Sequence, residues 1–190
     1  TIAADLIIFD LEDSVLASEK PQARKRVQSI LKDNFSGRQT RAVRINAMDT
    51  QHMQEDLDAV MPGRPDVIML PKLESGEQLV QLSALLDQLE SENGIELGNT
   101  KVIGITAETS RGIFGFDTIS NTSNRLVGLS WGAEDLTTEL GATTNRDQQG
   151  RFLPPFELAR TLCLAKAREL GVQALDTVFP EIDNHEGLQA

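Results

Sequence analysis

The chain has 190 residues, 39% apolar and 25% charged, a composition typical of one globular domain, here taken to span residues 1–190. Its formal net charge of −11 excludes an extended basic surface, so nucleic acid is not an expected partner. Neither a run of 18 apolar residues nor a secretory leader is present, so no membrane association is expected. The single cysteine, Cys163, fits a core position in a cytoplasmic protein.

Predicted strands and helices alternate along the chain. Apolar, β-branched-rich runs predict the strands, and helical spacing of apolar residues predicts the helices between them. In chain order, the predicted elements are strand 5–10, helix 21–31, strand 41–46, helix 52–61, strand 66–71, helix 76–92, strand 101–106, a short helix near 116–123, strand 126–131, helix 155–170 and strand 174–179. This alternation indicates parallel strands, either in an open doubly wound sheet or in a (β/α)8 TIM barrel.

Polar side chains cluster at the carboxyl end of every predicted strand. They are Glu12 and Asp13, Arg44 and Asn46, Lys72 and Glu74, Glu108, Asp135, and Glu181 with Asp183. An open sheet gathers ligand groups at one switch point, whereas a barrel collects them from many strand ends onto one face. No glycine-rich phosphate loop follows any strand, so the sequence gives no support for a dinucleotide site or a P-loop site. The sequence therefore predicts a barrel, and its six βα units predict an incomplete one that lacks about two units at its ends.

Several motifs at these strand ends are similar to those of a known enzyme family. In chain order they are LIIFDLEDSV, VRINAMDT, DVIMLPKLES, ITAETSRGIFGF, LVGLSWGAEDLTTELGA and LDTVFPEIDNHEGL. With them, essentially the whole chain resembles the citrate lyase β-subunit-like branch of the HpcH/HpaI aldolase family. The resemblance implies a (β/α)8 barrel, Mg²⁺, and a carbon–carbon bond made or broken between an acyl-CoA enolate and an α-keto acid. It also implies a homo-oligomer, often a trimer. The family's opening strand and its closing part with a C-terminal lid are not found among these motifs.

Glu108 and Asp135 form the predicted metal pair. Magnesium usually takes one or two carboxylates and completes its shell with water and substrate oxygens. The two acids end adjacent predicted strands, and they match the family's metal ligands. A keto acid would chelate the same ion, so Glu108 also belongs to the predicted substrate site. The alternative is that each acid only caps the helix after its strand.

Arg44, Glu12 and Asp13 are the predicted catalytic residues. Strand alternation directs Arg44 into the barrel mouth if Val43 and Ile45 pack outward. Its planar fork suits a carboxylate or a developing enolate oxygen, the role that the resemblance assigns to it, although a structural ion pair is an alternative. Glu12 and Asp13 are expected to hold Arg44 or metal-bound water in place, because clustered acids need cations beside them. Asp13 could instead be a helix cap.

The role of Lys72 leaves alternatives open. Lys72 could neutralise an acid of the metal site, bind a substrate carboxylate, or form a Schiff base, a role that the metal pair makes redundant.

The predicted activity is that of a citryl-CoA or malyl-CoA lyase. The alternative is a noncatalytic subunit or truncated barrel that binds metal and carboxylate without turnover. In related lyases a C-terminal acid serves proton transfer at the acyl carbon, and no residue of this sequence matches it.

Overall fold

Six parallel strands form one sheet in the computed structural model, which describes residues 4–33, 39–121, 123–180, 183–184 and 187. The strands are β1 (Leu6–Asp10), β2 (Thr40–Arg44), β3 (Val67–Leu73), β4 (Lys101–Thr106), β5 (Leu126–Trp131) and β6 (Gln173–Ala174). Their spatial order follows the chain order, and each strand pairs in parallel with the next. A doubly wound sheet would reverse this order at a switch point. The TIM-barrel-like fold is therefore confirmed, and within the described residues the sheet is not closed.

Within the part of the chain that the structure describes, six α-helices connect or follow the strands. They are α1 (Lys20–Lys32), α2 (His52–Val60), α3 (Gly76–Glu92), α4 (Ser110–Phe114), α5 (Ala133–Glu139) and α6 (Pro154–Leu170). The four long helices begin and end within one residue of the predicted positions, because their amphipathic periodicity spans several turns. None of the helices in the described ranges is both long and apolar enough to cross a membrane.

Two predicted elements differ from the structure. The helix predicted near 116–123 is replaced by α4 and a 3₁₀ turn at Phe116–Thr118, while α5 was not predicted at all. Helices of five and seven residues are too short to show an apolar repeat. The strand predicted at 174–179 is reduced to β6, which has two residues. Beyond Ala174 the chain pairs through a single hydrogen bond from Leu175 N–H to Leu129, and the next side chains turn to other partners.

Strand alternation separates two apolar layers. The larger cluster lies between the sheet and its helices and includes Val43 and Ile45, which pack outward as predicted. The smaller one lies on the inner face of the sheet and consists of Ala42, Val67, Met69, Ile103 and Ile105. Because alternate residues share a face, Arg44 lies on the inner side with Ala42. Polar residues on the inner face, at the ends of the strands, therefore lie next to this smaller apolar cluster.

Cys163 is a core residue of α6. Only 1% of its surface is exposed, and its thiol forms no disulfide. Burial raises the pKa of this thiol to about 11, so it is uncharged at neutral pH. This environment agrees with the prediction of a small buried side chain.

Candidate active site

A cleft of about 560 Å³ opens at the carboxyl ends of the strands. Its apolar side is formed by Ile8, Met69, Ile105 and Leu175, and its polar side by Asp10, Asp13, Arg44, Glu108 and Asp135. Four of the six predicted site residues thus line one cavity. The other two, Glu12 and Lys72, do not line it but contact residues that do. The parallel sheet has collected side chains from distant parts of the sequence, as a barrel mouth does.

Glu108 is the most deeply buried acid of the cleft wall. Only 4% of its surface is exposed, and its Oε2 accepts a 2.5 Å hydrogen bond from the backbone N–H of Lys72. Burial raises the pKa of Glu108 to about 7, against the opposing effect of Lys72 and with a smaller contribution from Glu12 and Asp135. A carboxylate held in this environment gains from a nearby cation, since the cation would restore the ionised form.

Gly132 makes the space that Glu108 occupies. A Cβ at position 132 would lie 2.4 Å from Glu108 Cγ and 2.8 Å from its Oε1, well inside contact distance. The close approach requires glycine, because any side chain here would displace the carboxylate. Sequence reasoning missed this residue, although its position directly after β5, in the same motif as Asp135, was a usable signal.

Lys72 bridges two acids from opposite sides of the site. Its Nζ lies 2.7 Å from Glu12 Oε1 and 2.9 Å from Asp135 Oδ2. A register shift of β3 between Leu70 and Leu73, with φ of 49° at Lys72, turns its N–H toward Glu108. Burial acts to lower the pKa of Lys72, but the two carboxylates outweigh burial and raise it. A Schiff-base lysine needs a lowered pKa, so the geometry favours the neutralising role.

Arg44 is held chiefly by Asp10. Its Nε and Nη2 donate to the two carboxylate oxygens of Asp10 at 2.7 and 2.6 Å. Burial opposes ionisation of Asp10, but hydrogen bonds from Arg44, Ser14 and the N–H of Glu12 hold its pKa well below the usual range. Sequence reasoning expected Glu12 and Asp13 in this holding role. The missed signal is the strand register, which pairs Asp10 with Arg44.

Glu12 and Asp13 differ in their contact with Arg44. Glu12 Oε2 lies 3.1 Å from Arg44 Nη1, whereas Asp13 lies 3.9 Å from it and its side chain is 59% exposed. Burial raises the pKa of Glu12, and Lys72 and Arg44 oppose the shift. Glu12 therefore contacts Arg44 more closely than Asp13 does, and its supporting role stays a prediction. Asp13 lies at the rim of the cleft, where solvent weakens its attraction to Arg44.

Two buried carboxylate oxygens are left without hydrogen bonds within the described part of the chain. They are Glu12 Oε2 and Asp135 Oδ2. Each nevertheless has a charged partner: Glu12 Oε2 lies 3.1 Å from Arg44 Nη1, and Asp135 Oδ2 lies 2.9 Å from Lys72 Nζ. The predicted metal ligand Asp135 thus already has a cationic neighbour at this oxygen, which is a position where a bound cation would also be stabilised.

Several predicted strand-end residues do not reach the cleft. The Asn46 amide donates to Asp56 and to the Leu11 carbonyl, because β2 ends at Arg44 and the alternation stops there. Glu74 accepts a hydrogen bond from Thr109 instead. Asp183 is exposed, and Glu181 lies outside the described residues.

The chain segment after β6 supports the cleft in a way that sequence reasoning missed. Asp176 accepts a 2.8 Å hydrogen bond from the indole N–H of Trp131, and Thr177 accepts one of 3.1 Å from the N–H of Ala133. These contacts hold the end of β5 and the start of α5, the helix that carries Asp135. Both Asp176 and Thr177 also line the cleft. Their role depends on contacts more than 40 positions away, which local sequence patterns do not encode.

The model of the HpcH/HpaI aldolase/citrate lyase family matches residues 1–190. The citrate lyase subunit beta of Leuconostoc mesenteroides subsp. cremoris is 36% identical over 184 residues, which make up 97% of this chain and 59% of that protein. A (3S)-malyl-CoA thioesterase of Cereibacter sphaeroides strain KD131 is 32% identical over 189 residues, covering 100% of this chain and 60% of that protein. The chain thus spans 59–60% of the length of these two curated relatives.

A solved structure is similar to this chain in the same way as these curated relatives. The citrate lyase beta subunit from M. tuberculosis, complexed with oxaloacetate and magnesium, superposes with a TM-score of 0.80 at 34% sequence identity. The match covers 98% of this chain and 74% of that one. This one comparison therefore shows similarity both in fold and in sequence over nearly the whole chain.

Proposed function

The chain belongs to the HpcH/HpaI aldolase/citrate lyase family, and from that premise we propose that it is a Mg²⁺-dependent carbon–carbon lyase. The proposed substrate is an acyl-CoA ester of the citryl-CoA or malyl-CoA type, which is cleaved to acetyl-CoA and oxaloacetate or glyoxylate. One observation carries the proposal: Glu108 and Asp135 line the same cleft as the guanidinium of Arg44. The cleft thus combines a site for a hard cation with a site for an anionic oxygen.

The two acids have the chemistry that Mg²⁺ requires. The ion commonly uses one or two carboxylates and leaves its other positions to water and substrate. Within the described residues no group of three His, Cys, Asp or Glu side chains could hold a metal, so a pair is the richest set available here. The burial of the Glu108 carboxylate and the contact of Asp135 with the Lys72 ammonium support this pair, because both show a place where positive charge is favoured. When bound, the ion would act as a Lewis acid and orient the keto-acid oxygens.

Arg44 would bind the keto acid or stabilise the developing enolate oxygen. Asp10 engages Nε and one N–H of Nη2, which leaves Asp10 no contact with Nη1, so Nη1 and the second N–H of Nη2 can donate to a substrate oxygen. Contact through Nη1 would draw it away from Glu12, which lies 3.1 Å away. Asp10 keeps the guanidinium plane in place throughout, and such preorganisation is the main source of electrostatic stabilisation in active sites.

Lys72 and Glu12 would keep the charge of the site balanced. The acids Asp10, Glu108 and Asp135 line the cleft and Glu12 lies next to it, and Lys72 contacts two of these four, Glu12 and Asp135. If Asp135 held the metal, Lys72 would still have its contact with Glu12, which is 2.7 Å in this structure. The lysine therefore limits repulsion among the acids without serving as a covalent nucleophile.

Thioester hydrolysis is a second candidate because the malyl-CoA thioesterase is 32% identical over the full chain. Incubation with Mg²⁺ and malyl-CoA or citryl-CoA, followed by quantification of products, separates the two activities. A lyase releases acetyl-CoA together with an equal amount of glyoxylate or oxaloacetate, and a thioesterase releases free CoA with malate or citrate. Binding of Mg²⁺ and keto acid without either product would instead support the noncatalytic alternative.

We also propose a homo-oligomer, trimeric by family resemblance, that works in the cytoplasm. The single buried cysteine suits a reducing compartment. Light scattering coupled to size-exclusion chromatography would give the mass of the assembly directly. A monomer at micromolar concentration would contradict the oligomer.

A further inference from the structure

Lys20 is a buried lysine whose charge is directed at the backbone of the site. Only 7% of its surface is exposed, and its Nζ donates to the carbonyl of Leu11 at 2.8 Å, to that of Glu12 at 2.9 Å and to Asn46 Oδ1 at 2.8 Å. An ammonium has three donors, so all of them are used. Within the described residues no carboxylate lies at ion-pair distance from Lys20.

The network around Lys20 is rigidly anchored in two helices. Asn46, which accepts from Lys20, donates its own amide to Asp56 at 2.6 Å and to the Leu11 carbonyl at 3.0 Å. Asp56 is completely buried on α2 and accepts a 2.7 Å hydrogen bond from Arg24 of α1. The chain of contacts thus joins both helices to the residues that follow β1 and β2.

This network ends on Glu12. The Glu12 carbonyl is held by Lys20, its N–H by Asp10 at 3.0 Å, and its carboxylate by Lys72 at 2.7 Å. The peptide groups on both sides of Glu12 are therefore fixed, and its side chain is left little freedom. Burying an ammonium without a carboxylate at ion-pair distance costs free energy, even when the ammonium is hydrogen-bonded. An apolar side chain of similar size would usually stabilise the core at least as well, so stability of the core does not explain a lysine at this position.

We propose that Lys20 is a positioning residue that holds Glu12 between Lys72 and Arg44. In its catalytic consequence this inference rests on the proposed function, since Glu12 matters for turnover only if the cleft is an active site. In its structural consequence it does not, because the bonds to the Leu11 and Glu12 carbonyls exist whatever the cleft does.

The structural consequence is tested by hydrogen exchange in Lys20→Met. The amides of Glu12 and Ser14 donate to Asp10, and that of Val15 donates to the Glu12 carbonyl. Loss of the ammonium should speed exchange of these amides by roughly tenfold or more, because the segment opens locally. Unchanged exchange would overturn the proposal.

Lys166→Met is the matched control. Lys166 is buried to a similar extent, 8% exposed, but its ammonium pairs with Glu169 on α6, away from the cleft. Its loss should leave exchange at residues 12–15 unchanged. An equal effect in both variants would mean general destabilisation and would overturn the proposal. If Lys20→Met does not fold, Lys20→Gln keeps an amide donor and should show a smaller change of the same sign.

A double-mutant cycle tests the catalytic consequence. Lys20→Met should lower kcat/KM by about tenfold in the native background but by less than about twofold in Glu12→Gln, since a residue that acts through Glu12 loses its effect there. Mg²⁺ affinity should stay within about twofold of native, because neither predicted ligand is touched. Equal effects in both backgrounds would overturn the positioning role. Absence of any turnover in the native chain would contradict the proposed function, while hydrogen exchange would still decide the role of Lys20.

Discussion

Arg44 and Asp10 are register partners at the ends of β2 and β1, and two hydrogen bonds of 2.7 and 2.6 Å join their side chains. The pair is 34 positions apart in sequence and lies on the inner face of the sheet, at the wall of the cleft. Because Asp10 takes two nitrogens, Arg44 reaches the cleft as a preoriented cation. A substitution of Arg44 can therefore act in two ways, by breaking the pair with Asp10 or by removing a contact with the substrate.

Arg44→Lys should weaken keto-acid binding by roughly 1.5–3 kcal/mol, the value of one hydrogen bond to a charged group. Lysine keeps the charge but cannot hold Asp10 and a substrate oxygen together. Isothermal titration with oxaloacetate or glyoxylate in the presence of Mg²⁺ gives the affinity.

Arg41→Lys is the control for this substitution. Arg41 lies on the same strand, forms the same two-nitrogen contact with Asp66 at 3.0 and 3.1 Å, and has nearly the same exposure, 22% against 21% for Arg44. It does not line the cleft, so keto-acid affinity should stay native. Equal losses in the two variants would show that Arg44 is structural.

Glu108→Gln and Asp135→Asn should each weaken Mg²⁺ binding by at least about tenfold, since each substitution removes one of the two charged ligands of a cation that dehydrates reluctantly. Calorimetric titration with MgCl₂ measures the effect. Glu139→Gln is the control, because Glu139 is an exposed acid of the same helix as Asp135 and accepts a bond from Ser110. Native affinity in both ligand variants would remove this pair from the metal site.

Gly132→Ala should weaken the metal site without removing a ligand. The added Cβ would lie 2.4 Å from Glu108 Cγ, so the carboxylate must move. Overpacking of this kind costs roughly 1–3 kcal/mol of stability. Urea unfolding and Mg²⁺ titration of the same sample measure both effects. A variant with native stability and native Mg²⁺ affinity would show that Glu108 does not need this space.

The pH dependence of stability should carry the signature of Glu108. Burial raises its pKa from 4.5 to about 7 in the folded chain, so the folded state favours the protonated form. Its stabilising contribution is therefore fully present below pH 4.5 and is lost as the pH rises through about 7. The loss amounts to about 3 kcal/mol at 1.36 kcal/mol per pKa unit.

Urea unfolding of the native chain and of Glu108→Gln, both in EDTA between pH 4 and 8, measures this contribution as a difference. Mg²⁺ affinity should change in the opposite sense and rise with pH up to about 7, because binding displaces the Glu108 proton. A stability difference that is constant across this pH range would show that Glu108 is already ionised when buried.

Lys72 should form no covalent adduct with a keto acid. Its contacts with Glu12 and Asp135 raise its pKa, so the amine is protonated and poorly nucleophilic. Borohydride treatment in the presence of pyruvate, followed by mass spectrometry of the peptide that contains Lys72, should show no added mass. A reduced pyruvate adduct on Lys72 would establish Schiff-base chemistry in place of the neutralising role.

The amino-acid sequence by itself determined the fold class and four of the charged residues that line the cleft. Six apolar runs separated by amphipathic segments predict parallel strands, and such strands present their carboxyl ends at one face. This rule predicted that Glu108, Asp135 and Arg44 share one cleft, as the structure has it, but it predicted the same for Asn46 and Glu74, which do not reach the cleft. The signals involved are local: a periodicity of a few turns, or a polar residue directly after a buried strand.

Only the tertiary structure decided how these side chains are paired. The partner of Arg44 is Asp10 because of the β1–β2 register, and Lys72 faces two acids because β3 shifts its register beside it. The need for Gly132 arises from the Glu108 side chain packed against it, and the anchoring of Glu12 by Lys20 crosses from a helix to a strand end. Register, bulges and side-chain packing depend on contacts between residues distant in sequence, and no local pattern of apolar and polar residues encodes them.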